Sequence, residues 1–112
     1  MDELGIALSG GGARGAAHLG VLHALNENNI FPNRVSGSSA GSIIGALYCS
    51  GYTPMEIILL SKKKAFLKIF KIGFLNKGLT ELTYLKDFLN AHLNKDSFES
   101  LELPLHVCVS NI

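Results

Sequence analysis

Arg34-Val35-Ser36-Gly37-Ser38-Ser39-Ala40-Gly41-Ser42-Ile43-Ile44-Gly45-Ala46-Leu47 decides the fold of this chain. It begins as a very short strand, Arg34–Ser36, and passes through Gly37-x-Ser39-x-Gly41 into an apolar helix. That helix is expected from Ser39 to about Ser50, with Gly51 as the residue just past its end. Ala40, Ile43, Ile44 and Leu47 fall on one stripe, while Gly41 and Gly45 fall on another face. A glycine inside a helix costs about 1 kcal/mol against alanine. Close approach to a neighbouring backbone would explain both. A serine between two glycines on a sharp strand-to-helix turn is the pattern of a nucleophile elbow, which holds the hydroxyl in the open. The helix start behind it favours developing negative charge. A chain of this length matches the five-residue pattern by chance roughly one time in 25, so the context carries the weight. The competing reading is a helix-capping serine in a glycine-rich turn.

Upstream, Leu4–Ser9 reads as a short buried strand, and the loop Gly10-Gly11-Gly12-Ala13-Arg14-Gly15 follows it. A helix is expected over Gly15–Asn28 with Ala17, Val21, Leu22 and Leu25 on one face, closed by Asn28-Asn29 and by Pro32. A glycine run between strand and helix presents several backbone N–H groups to one point, as the oxyanion of acyl transfer requires. The Ala40 amide can join them. The same residues fit the dinucleotide pattern G-x-G-x-x-G. No acidic residue stands near the end of the second strand, Asn33–Ser36, and no Lys-Ser/Thr pair ends the loop, so dinucleotide and P-loop readings fit poorly. A glycine turn without a ligand remains the bland alternative. Arg14 suits either an acidic headgroup or a salt bridge that braces the loop.

Downstream, Thr53-Pro54-Met55-Glu56 combines a cap, a proline at the first helical position and a capping box. The helix it starts is expected to run to about Ile72 and to end at Gly73. A further helix is expected over Leu82–Leu93 and a strand over Leu103–Ser110, with Pro104 near its start. Strands alternating with helices imply an α/β fold with a parallel-sheet core and helices on both faces. Ligands in such sheets sit at the carboxyl ends of the strands, where both glycine motifs fall.

Two anion-stabilising devices on one sheet edge, one carrying a serine, point to acyl transfer. Gly10-Gly11-Gly12-Ala13-Arg14-Gly15 followed by Gly37-Ser38-Ser39-Ala40-Gly41 resembles the patatin-like phospholipase family. So do Ala16–Leu22 and Ser42–Leu47; the likeness is dense from Leu4 to about Ile57. It implies a three-layer α/β/α fold and a serine lipid acyl hydrolase of phospholipase A or lysophospholipase type. Ser39 would be the nucleophile of a serine–aspartate dyad, with no cofactor. The family aspartate lies in a downstream Asp-Gly-Gly/Ala motif. Asp2, Asp87 and Asp96 do not match it. Residues 1–112 are therefore expected to be the N-terminal part of a truncated patatin-like domain, with little turnover alone. The rival from another class is a non-catalytic lipid- or anion-binding module that retains the glycine loop.

Serine is a weak nucleophile without a base, and the histidines here are His18, His23, His92 and His106. His18, one turn into the first helix, is nearest the motifs. It is read as a packing residue more readily than as a base. Six lysines and no acidic residue lie between Glu56 and Glu81. On a helix, Lys64, Lys68 and Lys71 share one face and Phe66, Ile69 and Phe70 the opposite one. That is the pattern of a membrane-interfacial helix, and equally of an ordinary helix with a solvated side. The net charge of +1 gives no bias toward nucleic acid. Apolar residues at 47% allow a packed core in 112 residues. No ligand cluster suggests a metal. Cys49 and Cys108 are read as free thiols of a reducing compartment. The acidic Met1-Asp2-Glu3 start does not suit a signal peptide. The expectation is a cytoplasmic protein suited to peripheral contact with a membrane that holds its lipid ester substrate; the sequence leaves the oligomeric state open.

Overall fold

The computed structural model describes residues 3–11, 15–38, 40–63, 91 and 101–108. Six elements follow in chain order: β1 (Gly5–Leu8), α1 (Ala16–Glu27), β2 (Arg34–Ser38), α2 (Ala40–Cys49), α3 (Pro54–Ser61) and β3 (Leu105–Cys108). The strands form one parallel sheet in the order β1-β2-β3. Leu8 lies opposite Gly37, and Ser38 opposite Cys108. The alternation of strand and helix thus yields the expected α/β architecture. With this strand order, right-handed crossovers carry both connections over the same face. In keeping with that, α1 packs on α3 and α2, while α2 lies over all three strands.

The core sits between that helical layer and the sheet. Leu8, Val35 and Leu105 supply it from the strands; Leu19, Leu22, Ile44, Leu47 and Ile57 supply it from the helices. β1 departs from the expected buried strand. Only Leu8 is fully buried and Ile6 is half-buried, whereas Gly5 and Ala7 are exposed. The same alternation runs through β2, where Val35 and Gly37 are buried and Arg34 and Ser36 exposed. Among the described residues, the sheet is covered on one face. The expectation of helices on the second face lies outside the described residues.

The ends of α1 and α2 form by local chemistry. Asn29 adopts φ 61°; its N–H donates to the Asn26 carbonyl, and Ile30 N–H to the Leu25 carbonyl. Gly51 at φ 112° closes α2 in the same way, with Gly51 donating to Tyr48 and Tyr52 to Leu47. These are paired six-to-one and five-to-two bonds that satisfy otherwise orphaned carbonyls. Side-chain spacing served less well for α1. Leu19 and Leu22 face the core, while Ala17 and Val21 of the expected face are exposed. Almost every residue from Ala16 to Leu25 is small or apolar, so the periodicity leaves the helix rotation undetermined. In α2 the expected stripe holds, with Ala40, Ile44 and Leu47 buried and Ile43 half-buried against them.

α3 starts as expected. Thr53 N–H donates to Glu56 Oε1 at 2.9 Å, and Glu56 N–H to Thr53 Oγ1 at 3.2 Å. Thr53→Ala removes one acceptor from the first turn and is expected to lower unfolding free energy by about 1 kcal/mol. Urea denaturation would show it as a lower midpoint at constant slope. The expected continuation of this helix to Ile72 is corrected: it ends at Ser61, with Lys62 as its cap. The last turn tightens, Lys62 and Lys63 donating to carbonyls three residues back, at Leu59 and Leu60. Ser61 Oγ also donates to the Ile58 carbonyl at 2.6 Å, a bond that competes with helix continuation. Three successive lysines beyond it add like-charge repulsion. Of the expected helix over Leu82–Leu93 only Ala91 is described, and it is helical.

β3 begins just after Pro104, whose carbonyl accepts from Val35 N–H at 3.1 Å. On the other side of β2, an exposed pair of Arg34 and Glu3 at 2.7 Å joins it to the segment before β1. The hydrogen bond and charge of Arg34 lower the Glu3 pKa.

Candidate active site

The elbow is built from backbone packing. β2 runs to Ser38 and α2 begins at Ala40, leaving Ser39 as the single residue between strand and helix. Ser39 itself lies outside the described residues; its neighbours define the turn. A Cβ on Gly37 would come within 2.6 Å of the Gly41 carbonyl oxygen and 2.9 Å of Ser42 N. The last turn of the strand and the first turn of the helix therefore touch through their main chains, and side chains at 37 are excluded. Gly41 is tighter still: a Cβ there would lie 2.0 Å from the Leu8 carbonyl oxygen. This is the close backbone approach expected of both helix glycines, and it holds at Gly41 alone. Gly45 differs, for it rests on side chains, with Leu105 Cδ1 and Val35 Cγ1 at 3.1 and 3.2 Å from the corresponding position.

The glycine loop leaves β1 beside this turn. Leu8 pairs with Gly37, so Gly10 and Ser39 each come two residues past a paired position on neighbouring parallel strands. Both motifs are thus at the carboxyl edge of the sheet, where α/β folds bind ligands. Gly11 has φ 142°, a conformation that favours glycine. Gly15 leads directly into α1 and is buried. Gly12, Ala13 and Arg14, and with them the expected headgroup or bracing role of Arg14, lie outside the described residues.

One contact at this edge was not legible as a contact in the sequence. His18 Nε2 lies 2.8 Å from the Ser9 carbonyl oxygen. Its position one turn into α1 was the only signal. His23 instead pairs with Glu27 along the helix at 2.9 Å, and His106 is exposed on β3. His92 is outside the described residues. Ser42, beside Gly41, has a buried hydroxyl with no hydrogen-bond partner among the described residues. Tyr48 OH donates to the Pro32 carbonyl at 2.9 Å, tying α2 to the segment before β2.

Cys49 is a buried free thiol, its sulfur 3.7 Å from the Pro104 carbonyl. Burial pushes its pKa up to about 11, the opposite of what a nucleophilic thiol needs. Among the described residues no cluster of His, Cys, Asp or Glu could hold a metal ion, and no helix is long and apolar enough to cross a membrane. Lys64, Lys68 and Lys71 lie outside the described residues.

A strand, the start of a glycine loop and the Gly-x-Ser-x-Gly sequence thus fall on one edge of a parallel sheet. The family model for patatin-like phospholipase matches residues 6–110, and the chain belongs to that family. It is 41% identical over 103 residues to a patatin-like phospholipase domain-containing protein of Caenorhabditis elegans, covering 88% of this chain and 7% of that protein. Lysophospholipase NTE1 of Saccharomyces cerevisiae is 40% identical over 83 residues, 74% of this chain and 5% of the relative. The neuropathy target esterase sws of Drosophila melanogaster is 51% identical over 49 residues, 44% of this chain and 3% of the relative. The chain thus spans only a small part of the length of these relatives.

Proposed function

We propose that this chain carries the nucleophile and oxyanion hole of a lipid acyl hydrolase that cleaves carboxylic esters of phospholipids or lysophospholipids. The observation that carries the proposal is the backbone contact of Gly37 with Gly41 around Ser39, beside the loop that begins at Gly10. Family membership and relatives named lysophospholipase support the substrate class.

In this mechanism Ser39 Oγ attacks the ester carbonyl carbon while its proton passes to an aspartate supplied from beyond these residues. The carbonyl oxygen becomes an oxyanion held by two or three amides, drawn from the Gly10–Gly15 loop and Ala40. Collapse breaks the ester C–O bond. The lipid alcohol leaves with the proton, and Ser39 remains acylated. The aspartate then takes a proton from water, which attacks the acyl carbon, and the fatty acid departs as Ser39 recovers its hydrogen. Each oriented donor is worth about 3–4 kcal/mol in such a transition state. Neither a metal nor a cofactor enters any step.

The test uses the complete gene product with a lysophospholipid and a diacyl phospholipid, following released fatty acid. Release from either, inhibited by a serine-directed fluorophosphonate, is expected. A folded protein that binds anionic vesicles but releases no fatty acid would instead be an anion-binding module.

The lysine-rich stretch extends the proposal to a cytoplasmic enzyme working at a membrane surface. Each lysine near an anionic surface contributes about 1 kcal/mol. Lys64→Glu/Lys68→Glu is expected to weaken binding to vesicles rich in anionic lipid by at least about tenfold. Unchanged sedimentation with vesicles would assign these lysines to an ordinary solvated face.

A further inference from the structure

A carbonyl oxygen only accepts hydrogen bonds, so His18 Nε2 must carry a proton and donate it to Ser9 across their 2.8 Å contact. The Ser9 carbonyl and the Gly10 N–H belong to one planar peptide unit and point in opposite directions. Fixing one fixes the other. Immediately before this unit, the Leu8 carbonyl is packed beneath Gly41 of α2. The unit ends at Gly10, and the next residue, Gly11, has φ 142°; neither carries a side chain to restrain it. The Ser9–Gly10 peptide therefore lies between a rigid strand end and a permissive glycine. Among the described residues, His18, reaching across from α1, is the side chain bonded to it.

We propose that His18 is a positioning residue: by holding the Ser9 carbonyl it aims the Gly10 N–H at the oxyanion, a role that rests on the acyl-hydrolase reading above. A donor bond to the carbonyl also polarises the peptide and strengthens its N–H as a donor. With Nε2 committed as a donor, that nitrogen has no lone pair with which to take the serine proton. Nε2 therefore positions the loop and does not take the serine proton.

The experiment compares His18→Ala, His18→Gln and His18→Phe in the complete gene product. Glutamine keeps an N–H donor, whereas phenylalanine keeps the ring volume alone. Loss of one oriented oxyanion donor lowers turnover by about 100-fold, and KM is expected to stay within about twofold because the oxyanion exists only in the transition state. Glutamine is expected to restore most of the rate and phenylalanine none of it. Amide exchange of Gly10, read by NMR, provides a second measure that needs no activity. It is expected to quicken by about tenfold in His18→Ala, with the α2 amides unchanged. Rescue by phenylalanine but not glutamine would overturn the proposal in favour of packing. Gly10 exchange unchanged in His18→Ala would overturn it as well. If the wild-type protein fails to react with a fluorophosphonate while Gly10 exchange still responds to His18, the hydrolase reading falls and the catalytic role of this bond falls with it.

Discussion

Ser39→Ala is expected to abolish fluorophosphonate labelling of the complete gene product and to cut lipid ester turnover by about a millionfold, the scale seen when a serine hydrolase loses its nucleophile. Intact-mass analysis would show one phosphonyl adduct on the wild-type chain and none on the variant. The alternative role of this serine is helix capping, since α2 begins at Ala40 and Ser39 immediately precedes it. Capping and catalysis respond differently to a second substitution. Asparagine is a good N-cap residue and cannot be acylated in this way. Ser39→Asn should therefore keep the stability that Ser39→Ala loses, about 1 kcal/mol, while being equally inactive. Persistent labelling at another serine in both variants would remove Ser39 from the chemistry.

The second large effect is expected from Gly41→Ala. The added methyl would overlap the Leu8 carbonyl, at 2.0 Å from its oxygen and 2.6 Å from its carbon. Neither atom can rotate away, because Leu8 is paired with Gly37 in the sheet. Either α2 lifts off its seat or β1 is pushed from β2. A loss of about 3 kcal/mol is expected, at the upper end for overpacking. Phosphonate labelling should slow in parallel, because the same shift moves the elbow relative to the glycine loop. Gly20→Ala is the control. Gly20 is exposed within α1 with nothing within 4 Å of an added Cβ. That change should stabilise the protein by about 0.5–1 kcal/mol. Thermal unfolding of the two variants side by side separates crowding at Gly41 from the general preference of helices for alanine. Equal stabilisation in both would mean that the Leu8–Gly41 contact does not constrain the site.

Where backbone chemistry is dictated by single residues, the sequence was sufficient. The start of α3 follows from Thr53, Pro54 and Glu56, and the ends of α1 and α2 from Asn29 and Gly51. The two glycine motifs reached one sheet edge because both follow parallel strands. Elements that depend on spacing alone were harder. α1 offers apolar residues around most of its circumference, so packing against α3 and α2 decides that Leu19 and Leu22 turn inward. The end of α3 depends on a serine back-bond, which residue spacing does not reveal, and on adjacent lysines, which also suit the polar face of a longer helix. For the candidate site, type and spacing pointed to Ser39 and the glycines, and the tight backbone packing is described at Gly37 and Gly41. The bond from His18 to Ser9 was not, because it joins a helix to a carbonyl that every residue possesses.

The seat of Gly41 on Leu8 also sets an order of events in time. Leu8 and Gly41 are far apart in sequence, as are Gly45 and Leu105, which meet across α2 and the sheet. Distant pairings of this kind form slowly, since chain entropy is lost before contacts repay it. The β1–α1–β2 unit can assemble from its own residues as synthesis proceeds. α2 has its complete seat only when β3 arrives beside β2. The turn that presents Ser39 is therefore expected to be among the last parts of the chain to stiffen. Acylation by a fluorophosphonate during refolding would then serve as a clock for completion of the sheet.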